Sequence, residues 1–322
     1  SSMNTLGSVI LAEELGRSTF GGFAVTVTVH TDMASPHLAN FGNKAQKDKY
    51  FPDLIAGRKI CAVGVTEPDA GSDVAGIRTT AVADGDHYVL NGSKMFITNG
   101  VKGDIYFIAA KTDTQVKSSR GITIFIVEKG TPGFSVGRAL DKQGWRCSDT
   151  AELVFDNCRV PRENILGELN KGFYSIMRNF QNERTVLAAQ SMGEAAKALE
   201  MTLQYVQERK AFGATLWDKQ TIRQRLAMLQ AKVEAGRQLT YHAAWLDAQG
   251  EDAVKEVSMA KAYCCELVNE VMYTCLQFHG GFGYIRESAI ERMSRDARVQ
   301  SIGGGATEVM LEEIAKRSVV VS

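Results

Sequence analysis

Every proline in the chain, at positions 36, 52, 68, 132 and 161, lies in its first half, and none follows Arg162. Proline removes a backbone donor and clashes with the preceding helical turn, so the second half is free to form long helices. Apolar residues there recur at intervals of three and four. Met192, Ala195, Ala196, Leu199, Leu203 and Val206 make one such face; Leu226, Leu229 and Val233 make another. The longest comprises Val257, Ala260, Cys264, Leu267, Val271, Cys275 and Phe278. Together they predict an antiparallel bundle of the four-helix type over 166–322. Gly280-Gly281-Phe282-Gly283 and Gly303-Gly304-Gly305 read as helix stops within it.

Upstream the pattern changes twice. Residues 3–57 read as helical, broken at Gly21-Gly22, with a second piece from Lys44 to Ile55 and no cap at the start. Residues 58–165 carry short β-rich runs instead. Tyr88 to Leu90, Asn91-Gly92 and Met95 to Thr98 predict a hairpin on a type I′ turn, and Asp84-Gly85 offers another turn just before it. Asp104 to Ala110, Ile122 to Val127 and Glu152 to Phe155 are further strands, which predicts a small antiparallel sandwich or barrel. The fold class is therefore α+β with three parts: 1–57 helical, 58–165 β, 166–322 helical bundle.

The 322 residues include 37 Lys+Arg against 37 Asp+Glu. Zero net charge and no run of five like charges argue against nucleic acid as a partner. Apolar runs such as Ile122 to Val127 are too short to span a bilayer. The N-terminus shows no secretory signal. The six cysteines form no CxxC pair and no zinc-ligand spacing with the five histidines, so no metal is expected and all six read as small core residues of a reduced, intracellular protein. GxxxxGK[ST], GxGxxG after a strand, HExxH and GxSxG are all missing, which removes the common nucleotide hydrolases, Rossmann dehydrogenases, zincins and α/β-hydrolases.

Four segments in order resemble the acyl-CoA dehydrogenase family: Val65-Thr66-Glu67-Pro68-Asp69-Ala70-Gly71-Ser72-Asp73, Asn91-Gly92-Ser93-Lys94-Met95-Phe96-Ile97-Thr98-Asn99, Glu208-Arg209-Lys210-Ala211-Phe212-Gly213, and Gln277 to Tyr284 followed by Arg295-Asp296-Ala297-Arg298. The resemblance covers nearly the whole chain. Its fold is a helical domain, a β-domain and a second helical bundle, and against it this chain looks N-terminally incomplete. It implies FAD as cofactor and a fatty acyl-CoA thioester as substrate. The α-proton leaves as H⁺, the β-hydrogen as hydride to the flavin, and a trans-2-enoyl-CoA results. It further implies electron-transfer flavoprotein as electron acceptor, a homo-oligomer that is commonly a tetramer, and a bacterial cytoplasm or mitochondrial matrix.

Carried over position by position, the resemblance places Val65, Thr66, Gly71 and Ser72 in a loop meeting the flavin, with Ser72 also near substrate. Phe96, Ile97 and Thr98 match the segment beside the isoalloxazine, where Phe96 stands in place of a common Trp. Arg209 and Phe212 match residues that reach the FAD of a neighbouring subunit, and Gln277, Gly280 and Gly281 match the surface that receives it. Thr307 and Glu308 follow as cofactor contacts, with Ala306 in place of a usual Thr.

The family's common catalytic base, a Glu, aligns with Gly304, which has no side chain to offer. A minority, including isovaleryl- and long-chain acyl-CoA dehydrogenases, carries the Glu on a bundle helix, at the position of Glu183. Glu183 is thus the candidate base, its carboxyl expected to gain proton affinity when substrate and flavin desolvate it. The Gly304 backbone N–H survives as a donor to the thioester carbonyl. Arg184 is a supporting charge. Gly303, in place of a Tyr, opens room for a branched acyl chain, with a long chain as the rival reading. Gly304 and Ala306 also motivate a catalytically inactive flavin- or acyl-CoA-binding homologue with a scaffold or regulatory role, and an acyl-CoA oxidase is a third possibility.

Overall fold

Asn4 and Asn43 start the first and last of the short helices that precede the sheet. In the computed structural model, which describes residues 4–319, these helices are α1 (Thr5–Gly16), α2 (Gly21–Thr28), α3 (Ser35–Phe41) and α4 (Lys44–Ile55). The Asn4 side chain accepts from the Gly7 N–H, so α1 is capped, against the expectation of an uncapped start. Asn43 and Gln46 form a capping box for α4, each side chain accepting from the other's backbone N–H.

The middle of the chain contributes β1 (Cys61–Gly64), β2 (Thr80–Asp84), β3 (His87–Thr98), β4 (Ile105–Lys111), β5 (Ile122–Glu128), β6 (Phe134–Ala139), β7 (Thr150–Pro161) and β8 (Ile165–Leu166). They form one sheet in the order β6-β7-β3-β2-β4-β5-β8, with β1 alongside β4 in parallel. The sheet is otherwise mostly antiparallel. Its path ends at β6 and β8 without closing, so it is an open sheet and not a barrel.

The hairpin lies one turn earlier than Asn91-Gly92 predicted. Asp84 pairs with His87 across the Gly85-Asp86 turn, and Gly85 has φ +61°. Residues 87–98 are one continuous strand. Gly92 sits at φ +144° inside it, at a register shift against β7. An added Cβ there would lie 2.7 Å from the Thr79 Cα, so the glycine serves a close backbone approach rather than a reversal.

The chain packs as two compact units. One comprises 25–142 and 148–180; the other runs up to Ala24, takes in 143–147, and resumes from Gln181. In the first, alternate residues of β4 and β5 face opposite ways. Ile105, Phe107, Ile122, Ile124 and Ile126 pack with Leu38, Tyr50, Leu54 and Ile176, while Tyr106, Ile108, Phe125 and Val127 pack with Leu90, Leu153 and Phe155. Covered on both faces, these strands read as continuous apolar runs.

The second unit holds the bundle: α5 (Gly172–Glu208) from position 181 onward, α6 (Gln220–Ala248), α7 (Val254–His279), α8 (Ala289–Ala297) and α9 (Thr307–Lys316), with a β9–β10 hairpin (Lys210–Ala211, Ala214–Thr215) after α5. The predicted stripes of α5, α6 and α7 meet in one core. Helix α1 packs here too. The three-part division of the sequence put it with 1–57, but its backbone meets α5 at two glycines. A Cβ on Gly193 would fall 1.9 Å from the Glu13 carbonyl oxygen, and one on Gly16 2.3 Å from that of Gln190. Five cysteines are buried as expected, but Cys147 is exposed. Among the described residues no helix is long and apolar enough to cross a membrane.

Glu194 and Asp296 are among the carboxyl groups that the bundle buries. Glu194, 2% exposed, accepts hydrogen bonds from Gln190 at 2.8 Å and Gln300 at 3.2 Å. Asp296 accepts from the backbone N–H groups of Gly21 and Trp145. Burial, aided by the Asp296 charge, pushes Glu194 from 4.5 up to about 7. A carboxyl with a raised folded-state pKa keeps its proton where the unfolded chain has lost it. Its contribution therefore favours the fold most at low pH, and is lost as pH rises from about 4.5 through about 7. The span corresponds to about 3 kcal/mol. Glu194→Gln is expected to raise the thermal midpoint at pH 8 and to flatten its fall between pH 5 and 8; thermal unfolding at a series of pH values reads this directly.

Candidate functional site

Within the bundle unit, α5, α7 and the glycine turn before α9 converge. Residues 183–195 of α5 are buried without interruption. Glu183 and Arg184 are each 8% exposed. Burial lowers the Arg184 guanidinium's pKa, against the opposing pull of the Glu183 and Glu313 charges. Arg184 also abuts the turn, its Nε 3.5 Å from where a Cβ on Gly305 would lie.

A short 3₁₀ segment, Arg298–Ser301, leads into the turn, and the Gly303 N–H closes onto the Val299 carbonyl at 2.8 Å. Gly304 has φ +63° and Gly305 φ +105°. Both values lie in the left-handed region that favours glycine. At 304 a Cβ would also stand 2.3 Å from Leu187 Cδ1, so the tip of that side chain would have to turn aside. At Gly303 the nearest atoms to an added Cβ are 3.7 and 3.8 Å away, so a side chain fits there. Among the described residues the Gly304 N–H has no hydrogen-bond acceptor. Lys261 on α7, 1% exposed, donates to the carbonyls of Gln300 at 2.6 Å and Gly305 at 3.0 Å. The Thr307 hydroxyl donates to the Glu266 carboxylate at 2.6 Å, and Glu308 is exposed.

The β unit brings the other two motifs together. Met95 N–H donates to the Thr66 carbonyl at 2.9 Å, which bolts the loop after β1 to β3. Beneath this joint lies a buried ion pair. Lys94 Nζ reaches Glu67 at 2.7 Å and the Val65 carbonyl at 3.1 Å. Glu67 also accepts from the backbone N–H groups of Arg78 and Thr79. Burial alone would raise the Glu67 carboxyl; the Lys94 charge and these donors hold it below its ordinary value. Val65 and Ile97 are buried, whereas Gly71 and Ser72 are exposed, with open space around Gly71. Phe96 is 66% exposed at φ +61°, at a register shift of β3, and Asn99 follows at φ +61°. Positive φ at a large aromatic residue is costly and clusters at ligand sites.

Arg209 immediately precedes the β9–β10 hairpin, and Phe212 lies in its turn. Arg209 is exposed, and Phe212 is 97% exposed at φ +54°. Gln277, Gly280 and Gly281 are exposed at the end of α7, where Gly280 takes φ +57°.

Sequence models described as the N-terminal, middle and C-terminal domains of acyl-CoA dehydrogenase match residues 1–58, 62–158 and 170–319. The chain is 42% identical over 293 residues to the mitochondrial long-chain specific acyl-CoA dehydrogenase of Mus musculus, covering 91% of this chain and 68% of that one. It is 40% identical over 310 residues to the mitochondrial isovaleryl-CoA dehydrogenase of Pongo abelii, covering 96% and 73%. It is 42% identical over 301 residues to the caffeyl-CoA reductase–Etf complex subunit CarC of Acetobacterium woodii, covering 94% and 79%. The solved acyl-CoA dehydrogenase of Geobacillus kaustophilus superposes with a TM-score of 0.94 at 41% identity, over 99% of this chain and 83% of that one. The chain belongs to the acyl-CoA dehydrogenase family.

Acyl-CoA dehydrogenases are FAD-dependent oxidoreductases acting on CH–CH bonds. In this member, sequence reasoning singled out Glu183, Arg184, Gly303 and Gly304, and missed Leu187 and Lys261 beside the glycine turn and the Lys94–Glu67 pair beneath the loop after β1. A lysine inside the apolar run Ala260 to Cys265 was a visible signal for Lys261. For Lys94 and Glu67 nothing local distinguishes a buried charge from a solvated one. The steric account of Gly304 predicts a coupling. Gly304→Ala is expected to destabilise by about 2–5 kcal/mol through overpacking and backbone strain together. In a Leu187→Ala background the same change should cost about 1–2 kcal/mol, the strain alone. A double-mutant cycle by chemical denaturation measures the difference.

Proposed function

We propose that this chain catalyses the FAD-dependent α,β-dehydrogenation of an acyl-CoA thioester to its trans-2-enoyl-CoA, with Glu183 as base for the α-proton. The observation that carries the reading is a pairing: Glu183 is buried at 8% exposure on α5, while Gly304 lacks a side chain and Leu187 fills the space one would need. A carboxylate shielded from water is matched to proton abstraction once substrate is in place. The unpartnered Gly304 N–H receives the charge that builds on the thioester oxygen, and Arg184 balances the charge at Glu183.

Val65, Thr66, Gly71, Ser72, Phe96, Ile97 and Thr98 hold the cofactor. The bare backbone at Gly71 and the exposed aromatic face of Phe96 on a strained backbone suit a flat, partly anionic ligand. FAD, when bound, supplies the acceptor for the β-hydrogen. Arg209 and Phe212 of one protomer, with Gln277, Gly280 and Gly281 of another, complete the cofactor site in a homotetramer. A fully exposed phenylalanine held at positive φ supports such a covered role. Electron-transfer flavoprotein is the electron acceptor, in keeping with the Etf-complex relative.

Glu183→Gln is expected to lower kcat for enoyl-CoA formation by about 10²- to 10⁴-fold with FAD content unchanged. Turnover at the wild-type rate would remove Glu183 from the mechanism. Acyl-CoA binding with no enoyl product under any electron acceptor would favour an inactive homologue instead. The missing side chain at Gly303, where a Cβ would make only ordinary contacts with Val299, supports a branched acyl chain. Gly303→Tyr should lower kcat/KM for isovaleryl-CoA by about tenfold or more relative to a straight-chain thioester of equal length, as competing-substrate assays would show.

A further inference from the structure

Lys261 is a buried cation that the proposed chemistry does not use. It is 1% exposed, and among the described residues it forms no ion pair. Its partners are the two carbonyls of Gln300 and Gly305, with the Cys265 thiol beside it. An ammonium withdrawn from water without a carboxylate is an expensive way to fill a helix face lined by Ala260, Cys264 and Leu267. Its placement is what distinguishes it. The two carbonyls bracket Gly303-Gly304, so one side chain grips the turn on both sides. The Gln300 anchor is itself held, since its side chain donates to Glu194, and Glu194 is held by Gln190.

We propose that Lys261 is a positioning residue: by binding the carbonyls of Gln300 and Gly305 it fixes the glycine turn in the one arrangement that leaves the Gly304 N–H free to meet the thioester oxygen. A turn with two residues at positive φ and no side chain at either has little of its own to hold it in place. Released from Lys261, its carbonyls and N–H groups can rotate toward water or toward each other. The ammonium adds a second effect: its Cε lies 4.0 Å from where a Gly304 Cβ would stand, which sets positive charge behind the donor. The inference rests on reading Gly304 as a carbonyl donor.

The test uses the full chain loaded with FAD. Lys261→Met keeps the stem and removes charge and donors; Lys261→Gln keeps one donor group; Lys261→Arg keeps both charge and donors. Three quantities are measured: exchange of acyl-CoA α-hydrogens with deuterated solvent, steady-state kcat and KM, and amide hydrogen exchange across 302–306. Lys261→Met is expected to lower α-hydrogen exchange and kcat together by about 10- to 100-fold, with KM within about threefold, and to speed amide exchange in the turn. Lys261→Arg should recover most of the loss, and Lys261→Gln should fall between. A lower thermal midpoint with wild-type α-exchange per bound flavin overturns the proposal, as does equal loss in the Arg, Gln and Met variants. If Lys261→Met does not fold, the Gln and Arg variants decide by the same criteria. If the wild-type protein exchanges no α-hydrogen and forms no enoyl product, the dehydrogenase reading fails. Amide exchange then still decides the tie: faster in the variants supports it, unchanged overturns it.

Discussion

The candidate site depends on the close packing of α5. A helix buried without interruption from 183 to 195 has no solvent-facing side on which to discharge polar groups. Each must be met inside the protein or protonated. The crossing of α1 is so tight that only glycine fits at the contact, and that closeness is what confines Glu194 and its glutamine partners. Arg184 and Leu187 then meet the glycine turn from the same helix. One proline-free segment thus sets both the rigidity of the bundle and the walls around Glu183.

The β unit solves a different problem with the same economy. A loop rich in small residues must stay in place while leaving its backbone open. The Lys94–Glu67 pair does this from below, with three carboxylate hydrogen bonds and one to a carbonyl. Buried ion pairs are weak evidence for stability in themselves. Here the pair links the loop after β1 to β3, the two segments proposed to hold the cofactor, and the positive-φ residues Phe96 and Asn99 follow in and just beyond that strand. Geometry that is unfavourable for a free surface is retained where the surrounding hydrogen bonds over-determine it.

Much of this was legible in the sequence. The helix faces of α5, α6 and α7 follow from a 3.6-residue period, and α4 has the expected bounds, and the structure shows Asn43 and Gln46 capping it. The strands β4 and β5 were visible as apolar runs. The hairpin at Asn91-Gly92 was misplaced because two causes of glycine look alike in one dimension: a reversal and a close backbone approach. The barrel expectation failed for a related reason, since strand spacing says nothing about whether the first and last strands meet. Glu183 is a candidate on resemblance and on the missing side chain at 304. The neighbours of the glycine turn were not legible, because Leu187 and Lys261 touch it from positions over 40 residues away in sequence. The exposed Cys147 departs from the core reading because it sits in a loop, not on a stripe.

The contact between Leu187 and the space above Gly304 also bears on what this position can accept. A side chain at 304 would meet Leu187 Cδ1 on a backbone held at φ +63°, so the tip of Leu187 must turn aside and the turn must take up strain. Two positions far apart in the sequence are thereby expected to tolerate substitution jointly rather than one at a time.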